Sequence, residues 1–424
     1  LNATFRFTTS SGSVVSAWLF ASLGSGSIGQ GYWNATFDTS TVADGVYNVT
    51  VNATDFAGNQ QVINGSTVNI DASKPNVSVV VPVNLSNLSA TFVINASVND
   101  SPSGVLNATF RLANSTNGSV SAWLYASLGS GTILQGYWNS TFDSTVLADG
   151  SYNITVNATD FVGNQNVING STVTIDNTKA NVTMVVPLNG TNTSSTALLI
   201  NASVNDSLSK VLNATFRLTT ASGSTVTSWI YASLGSGTIS QGYWNTTFDT
   251  STVADGTYNI TVNATDFAGT QNVINGSTVN IDASKPNVSV VVPVNLSNLS
   301  ATFVINASVN DSPSGVLNAT FRLANSTNGS VSAWLYASLG SGTILQGYWN
   351  STFDSTVLAD GSYNITVNAT DFVGNQNVIN GSTVTIDNTK ANVTMVVPLN
   401  GTNTSSTALL LNVSVNDSLS KVLN

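Results

Sequence analysis

The hexapeptide Leu-Asn-Ala-Thr-Phe-Arg stands at Leu1, Leu106, Leu212 and Leu317, and a last Leu-Asn stands at Leu423. A period of about 105 residues is the mark of an array of small domains. A second level lies above it: residues 73–199 recur unchanged at 284–410, so the chain reads as two copies of a two-domain unit. Copying a domain in register lengthens a fibre or a stalk and adds nothing to a catalytic centre. The 424 residues hold about four such units, each long enough for one sandwich-sized core.

Within a unit the hydrophobic period is two. Val77, Val79 and Val81 share one face of their segment, with Asn76 and Ser78 on the other. Ala108 and Phe110 alternate with Asn107, Thr109 and Arg111, and Tyr152, Ile154 and Val156 with Asn153, Thr155 and Asn157. That is the pattern of strands with one wet face, and no stretch carries a capped helical period. Ser103-Gly104, Asn117-Gly118, Asp149-Gly150 and Asn169-Gly170 punctuate the runs as turns. Ser127-Leu-Gly-Ser-Gly131 lacks the Lys and the following helix of a phosphate loop and reads as a flexible turn. The fold class is therefore all-β, a tandem array of β-sandwiches. The spans are 1–74, lacking its first two strands; 75–179; 180–285; 286–390; and 391–424, which holds two opening strands only. The joins at Asp71-Ala-Ser-Lys-Pro75 and Asp176-Asn-Thr-Lys-Ala180 are a few residues long, so neighbouring sandwiches should be held stiffly. Residues 391–424 and 1–74 add up to one further domain. Either the sequence is a window on a longer array, or the tail of one molecule completes the head of the next by strand donation.

Composition narrows the setting. The chain is 42% apolar and only 7% charged, with no Cys and no His, and its twenty acidic residues are all Asp. Ordinary domains carry about 25% charged residues, so something else must wet this surface. A net charge of −10 spread in single Asp residues gives no nucleic-acid footprint. No apolar run approaches about 18 residues, so no membrane span is expected in this segment. The absence of an initiator Met and of a signal peptide is expected of a mature or excerpted chain.

About forty Asn-x-Ser/Thr sequons fill the gap in charge. The 1–74 unit offers Asn2, Asn34, Asn48, Asn52 and Asn64. The next offers Asn76, Asn84, Asn87, Asn95, Asn107, Asn114, Asn139, Asn153, Asn157 and Asn169. Unit 180–285 offers Asn181, Asn189, Asn201, Asn213, Asn245, Asn259, Asn263 and Asn275. Unit 286–390 offers Asn287, Asn295, Asn298, Asn306, Asn318, Asn325, Asn350, Asn364, Asn368 and Asn380, and the last segment Asn392, Asn400 and Asn412. Asn and Thr at i and i+2 share the wet face of a strand in any case. At this density, attached sugar would supply the missing solubility and cover Val-rich edges.

Asp-Gly-x-Tyr occurs at Asp44, Asp149, Asp255 and Asp360, each time ahead of alternating apolar residues. It resembles the tyrosine corner of immunoglobulin-type sandwiches. The following Val51-Asn-Ala-Thr-Asp-Phe-Ala-Gly-Asn59 resembles the strand and turn of immunoglobulin-like repeats in bacterial and archaeal surface proteins, of the filament, surface-layer or adhesin type. The resemblance covers all the units and implies an extracellular or cell-surface setting without naming a ligand. The Cys pair and central Trp of antibody domains have no counterpart.

Few residues offer chemistry. Asp55, Asp71 and Asp100 are Ca²⁺ candidates near joins and turns, although no dense alternating ligand loop is present and Asp in turns commonly bonds backbone. No other cofactor is expected. Without His or Cys no nucleophile–base pair can be drawn, so the chain is not expected to be an enzyme. The Trp33, Ala35, Phe37 series points inward and leaves Tyr32 outside. Trp18, Trp123, Trp229 and Trp334 sit in strands apolar on both faces. They are either buried under a loop or form a contact stripe for another subunit or a glycan. The reading is a glycosylated extracellular filament or surface layer whose partners are other copies of itself, joined head to tail. The alternative is an adhesin stalk binding carbohydrate or a partner cell through its exposed aromatics.

Overall fold

The computed structural model describes residues 2–422; Leu1, Leu423 and Asn424, the ends expected to meet in a completed domain, lie outside the described residues. Nearly all regular structure is β, and the only helices among the described residues are single 3-10 turns such as Thr250–Thr252, N-capped by Asp249. None is long and apolar enough to cross a membrane.

Unit 180–285 shows the plan. Its strands are β1 (Asn181–Val186), β2 (Thr191–Thr193), β3 (Ala197–Asn205), β4 (Val211–Thr220), β5 (Ile230–Tyr231), β6 (Ser233–Gly237), β7 (Gln241–Asp249), β8 (Gly256–Asp266) and β9 (Gln271–Ile281). One sheet runs β1-β3-β7-β6 and the other β2-β9-β8-β4-β5. Every pairing is antiparallel except β2 with β9. Alternation puts Ile200, Ala202 and Val204 of one sheet against Phe216, Leu218, Ile260 and Val262 of the other, all fully buried. Burying a residue of this kind contributes about 1.5–3 kcal/mol. Equivalent cores fill 75–179 and 286–390. The tyrosine corner is built as its motif implies: the hydroxyls of Tyr47, Tyr152, Tyr258 and Tyr363 each donate to the carbonyl oxygen four residues upstream, at 2.7–2.8 Å.

Two turn expectations are corrected. Ser127–Gly131 and its equivalents are edge strands, not flexible turns. Glycine is needed there for close approach rather than freedom. A Cβ on Gly235 would lie 2.0 Å from the Asn245 amide, which crosses over the strand. Asn169-Gly170 is likewise no turn; it lies inside the strand Gln165–Ile175, where the register against Gly150–Asp160 shifts by a bulge.

The two end segments show what a unit lacks without its partner sheet. Strands Asn2–Thr9, Leu19–Phe20, Gly45–Thr54 and Gln60–Ile70 form a single sheet beside a ribbon of Ser22–Ser27 with Gln30–Asn34. At the other end, Asn392–Val397 and Asn412–Asn416 pair as an isolated hairpin.

Candidate functional site

The joins between units concentrate charge. At each complete join an Asp ending one unit meets two from the next: Asp71 with Asp100 and Asp160, Asp176 with Asp206 and Asp266, and Asp282 with Asp311 and Asp371. In each set one carboxylate oxygen per residue lies within 4.8 Å of the others. Local turns hold them there. Asp71 and Asp282 reach across to the backbone N–H of Ser103 and Ser314, at 3.0 Å, and Asp176 to that of Ser209, at 2.9 Å. Asp160 accepts the Asn164 side-chain amide at 2.7 Å, and that amide also donates to the carbonyl of Asp71 at 3.2 Å. On the far side the linker is pinned by the Asp of Asp-Gly-x-Tyr: Asp149 accepts from Asn177 N–H at 2.8 Å. A latch repeats the tie, Ser89 Oγ donating to the Ala268 carbonyl at 2.7 Å.

Crowding three carboxylates out of water disfavours their ionised forms. Burial pushes Asp100 and Asp176 above the usual carboxylate range, against hydrogen bonds from Ser103 and Ser209 that act the other way. Asp311 is pushed up to about 6, first by burial and then by the charges of Asp282 and Asp371. An all-oxygen, multiply anionic donor set is chemically suited to a hard divalent cation. Of the sequence candidates, Asp71 and Asp100 come together and Asp55 does not join them. Asp55 is exposed and bonded to Asn59, whose side-chain amide holds its carboxyl below the usual range. The third member at that join is Asp160, the repeat equivalent of Asp55. Lining up Asp-Phe-Val-Gly-Asn at 160–164 with Asp-Phe-Ala-Gly-Asn at 55–59 would have found it.

The aromatic candidates separate onto different sheets. Tyr32 is 81% exposed beside the inward Trp33. Trp18, Trp123, Trp229 and Trp334 lie on the outer face of the other sheet, each beneath the guanidinium of Arg6, Arg111, Arg217 or Arg322 at 4.4–4.5 Å. They do not sit in strands as expected but just ahead of the two-residue strands such as Leu124–Tyr125, and no loop covers them: Trp123 keeps 38% of its surface and Tyr125 74%.

The sequons divide by environment. Asn34, Asn64, Asn76, Asn84, Asn181 and Asn275 present exposed side chains. The Oδ1 atoms of Asn52, Asn95, Asn157, Asn201, Asn263, Asn306 and Asn368 are buried without a hydrogen-bond partner.

Two family models match the chain. One, described as a domain of unknown function (DUF7743), matches residues 69–197 and 280–409. The other, described as a bacterial Ig-like domain (group 3), matches 31–101 and 242–312. No curated protein matches in sequence. Among solved structures, the fibronectin(III)-like modules of Clostridium thermocellum CbhA align over 49% of this chain and 94% of theirs, at 16% identity and a TM-score of 0.27. A 1.5-MDa bacterial ice-binding adhesin aligns over 74% of this chain and 98% of its own, at 16% identity and a TM-score of 0.29. The FN1–FN3 domains of chicken CNTN1 align over 73% and 99%, at 11% identity and a TM-score of 0.22.

Proposed function

We propose that this chain, which belongs to the family described as a domain of unknown function (DUF7743), is a structural array of immunoglobulin-like domains in a glycosylated extracellular filament or surface layer. Copies join head to tail, the hairpin 392–416 of one pairing with the ribbon 22–34 of the next and covering the inner face of its sheet 2–70. The observation that carries this is a pair of matching uncovered faces. Ala202 and Val204 are fully buried in the 180–285 core, yet their counterparts Val413 and Val415 are 47% and 37% exposed. Val182 is 8% exposed and its counterpart Val393 61%. On the other partner, Phe5, Phe7, Trp33 and Phe37 line an open apolar cleft of about 290 Å³ in the place where the complete units keep a closed core. Seating the hairpin there would cover both faces and pair both edges.

The same step would bring Asp55 of one copy to Asp387 and Asp417 of another, repeating the three-carboxylate arrangement of the internal joins. Divalent cations such as Ca²⁺ are the ligands that this arrangement would take at every join. Exposed sequons along the array would carry the N-glycans that keep so weakly charged a surface in solution.

Sedimentation and negative-stain imaging of the purified chain test the reading. Fibres of indefinite length are expected from the parent chain, and none from the variant Val413→Asp/Val415→Asp with unchanged circular dichroism. A parent chain that stays monomeric at high concentration refutes head-to-tail joining. An intact mass unchanged by chemical deglycosylation of native material refutes the glycan part alone.

A further inference from the structure

The outer face of the sheet that contains Val105–Asn114, Leu124–Tyr125 and Gly150–Asp160 carries a small groove lined by Asn107, Thr109, Trp123, Tyr125, Asn157 and Thr159, with Gln165 at its end and a volume of about 240 Å³. Register explains the set. Thr109 pairs with both Tyr125 and Asn157, and Asn107 pairs with Thr159, so these side chains rise from neighbouring strands on one face. We propose that this groove seats a pyranose ring, and that each unit of the array carries one such seat.

The chemistry of the lining is what selects a sugar. A pyranose has an apolar C–H face and a rim of hydroxyls, so it needs an aromatic surface beside neutral donors and acceptors. Tyr125 and the uncovered part of Trp123 supply the first. Three amides and two threonine hydroxyls supply the second. No Asp and no Lys lines the groove, which disfavours a metal ion or a phosphate group. Arg111 is stacked on the Trp123 ring at 4.5 Å and fixes the ring without lining the groove.

The lining recurs along the array: Trp229, Tyr231 and Asn263 hold the same positions in 180–285, and Trp334, Tyr336 and Asn368 in 286–390. The size suits a single ring, since grooves for larger ligands run from about 300 Å³ upward. Seats repeated about every 105 residues would bind a polymeric glycan far more tightly than one seat alone. The 1–74 unit departs from the others in one respect, carrying Phe20 where they carry Tyr125, Tyr231 and Tyr336.

The saccharide has two possible sources, a glycan attached to the array or one on another surface. The proposal does not depend on head-to-tail joining. Full-length chain made in a host without N-glycosylation is titrated calorimetrically with chitohexaose, cellohexaose and mannohexaose. Saturable heat is expected with at least one of them, and at least a tenfold loss of affinity in Trp18→Ala/Trp123→Ala/Trp229→Ala/Trp334→Ala. Should that variant unfold, Tyr125→Ala/Tyr231→Ala/Tyr336→Ala removes side chains that are 72–75% exposed and reads the same loss. Native glycosylated chain then separates the sources: no binding until deglycosylation means that an attached glycan fills the seat, and binding without it means that the seat takes an outside glycan. No heat with any of the three sugars, or equal affinity in a folded Trp or Tyr variant, overturns the proposal.

Discussion

Removing one negative charge from a join should stabilise the domain that follows it. Asp311 is 6% exposed and shares its site with Asp282 and Asp371. Its carboxyl titrates near 3.8 when free and at about 6 in the fold. Below the lower value both states are protonated, and the group is neutral to stability. Between the two, the folded state keeps a proton that the unfolded state has released, so stability falls as pH rises. Above the upper value the loss is complete: about two pH units at roughly 1.36 kcal/mol each, or on the order of 3 kcal/mol. Asp311→Asn keeps an oxygen for the Gly315 N–H, which Asp311 accepts at 2.9 Å, and replaces a charge with a donor for its acidic neighbours. Residues 73–199 and 284–410 yield identical peptides, so Asp100→Asn is made together with Asp311→Asn. Metal-free protein is equilibrated in urea at pH 4 to 8, then pulse-labelled with deuterium at one fixed pH, and peptides from 302–310 are read. In the unit of Asp311 the parent should lose about 3 kcal/mol across pH 4–7, the unit of Asp100 should weaken in the same direction, and the double variant should lose most of both slopes. A parent with pH-independent stability, or a variant weaker than the parent at pH 7.5, refutes the account of the joins.

Three further outcomes follow from the core and the edges. Phe216→Ala empties a fully buried site at the centre of its unit and should destabilise it by about 3–5 kcal/mol, read as a lower urea midpoint for peptides of β8. Tyr258→Phe removes the hydroxyl that donates to the Ala254 carbonyl at 2.7 Å; a loss of about 1 kcal/mol is expected by the same readout. Gly242→Ala drives a methyl group to within 2.6 Å of the Thr238 carbonyl oxygen, a backbone atom that cannot swing away. It should detach β6 from β7, seen as faster hydrogen exchange in β6 with the rest of the unit unchanged.

What was legible in the sequence follows the range of the physics. Alternation is a local property, so strands such as 107–111 and 152–156 and the inward Trp33–Phe37 series could be read from the residues alone. The tyrosine corner spans five residues and was equally visible. The Ser-Leu-Gly-Ser-Gly segment misled because glycine permits two things, a free turn and a close approach. Only the position of Asn245 on the neighbouring strand decides between them. The carboxylate sets were half visible for the same reason. Asp71 and Asp100 lie near one another in sequence, but Asp160 reaches them through a turn some 60 residues after Asp100, and Asp55 has no such neighbours within its own unit. The Arg111–Trp123 stack is set by the pairing of Thr109 with Tyr125, a register that composition does not encode.

The parallel pairing of β2 with β9 determines how such a chain meets force. Thr191, Asn192 and Thr193 lie beside Val279, Asn280 and Ile281, close to the points where the chain enters and leaves the unit. Tension along the array pulls β2 toward the entry and β9 toward the exit, so the ladder is loaded in shear. Its rungs must then break together, whereas an antiparallel hairpin pulled from its open end gives way one rung at a time. Side chains staple the same pair: Asn280 Nδ2 donates to Asn192 Oδ1 at 2.7 Å, and Thr278 N–H donates to Asn189 Oδ1 at 2.9 Å. Each complete unit thus places a shear-loaded ladder between its two attachment points, and a pulled array should extend in discrete, domain-sized steps.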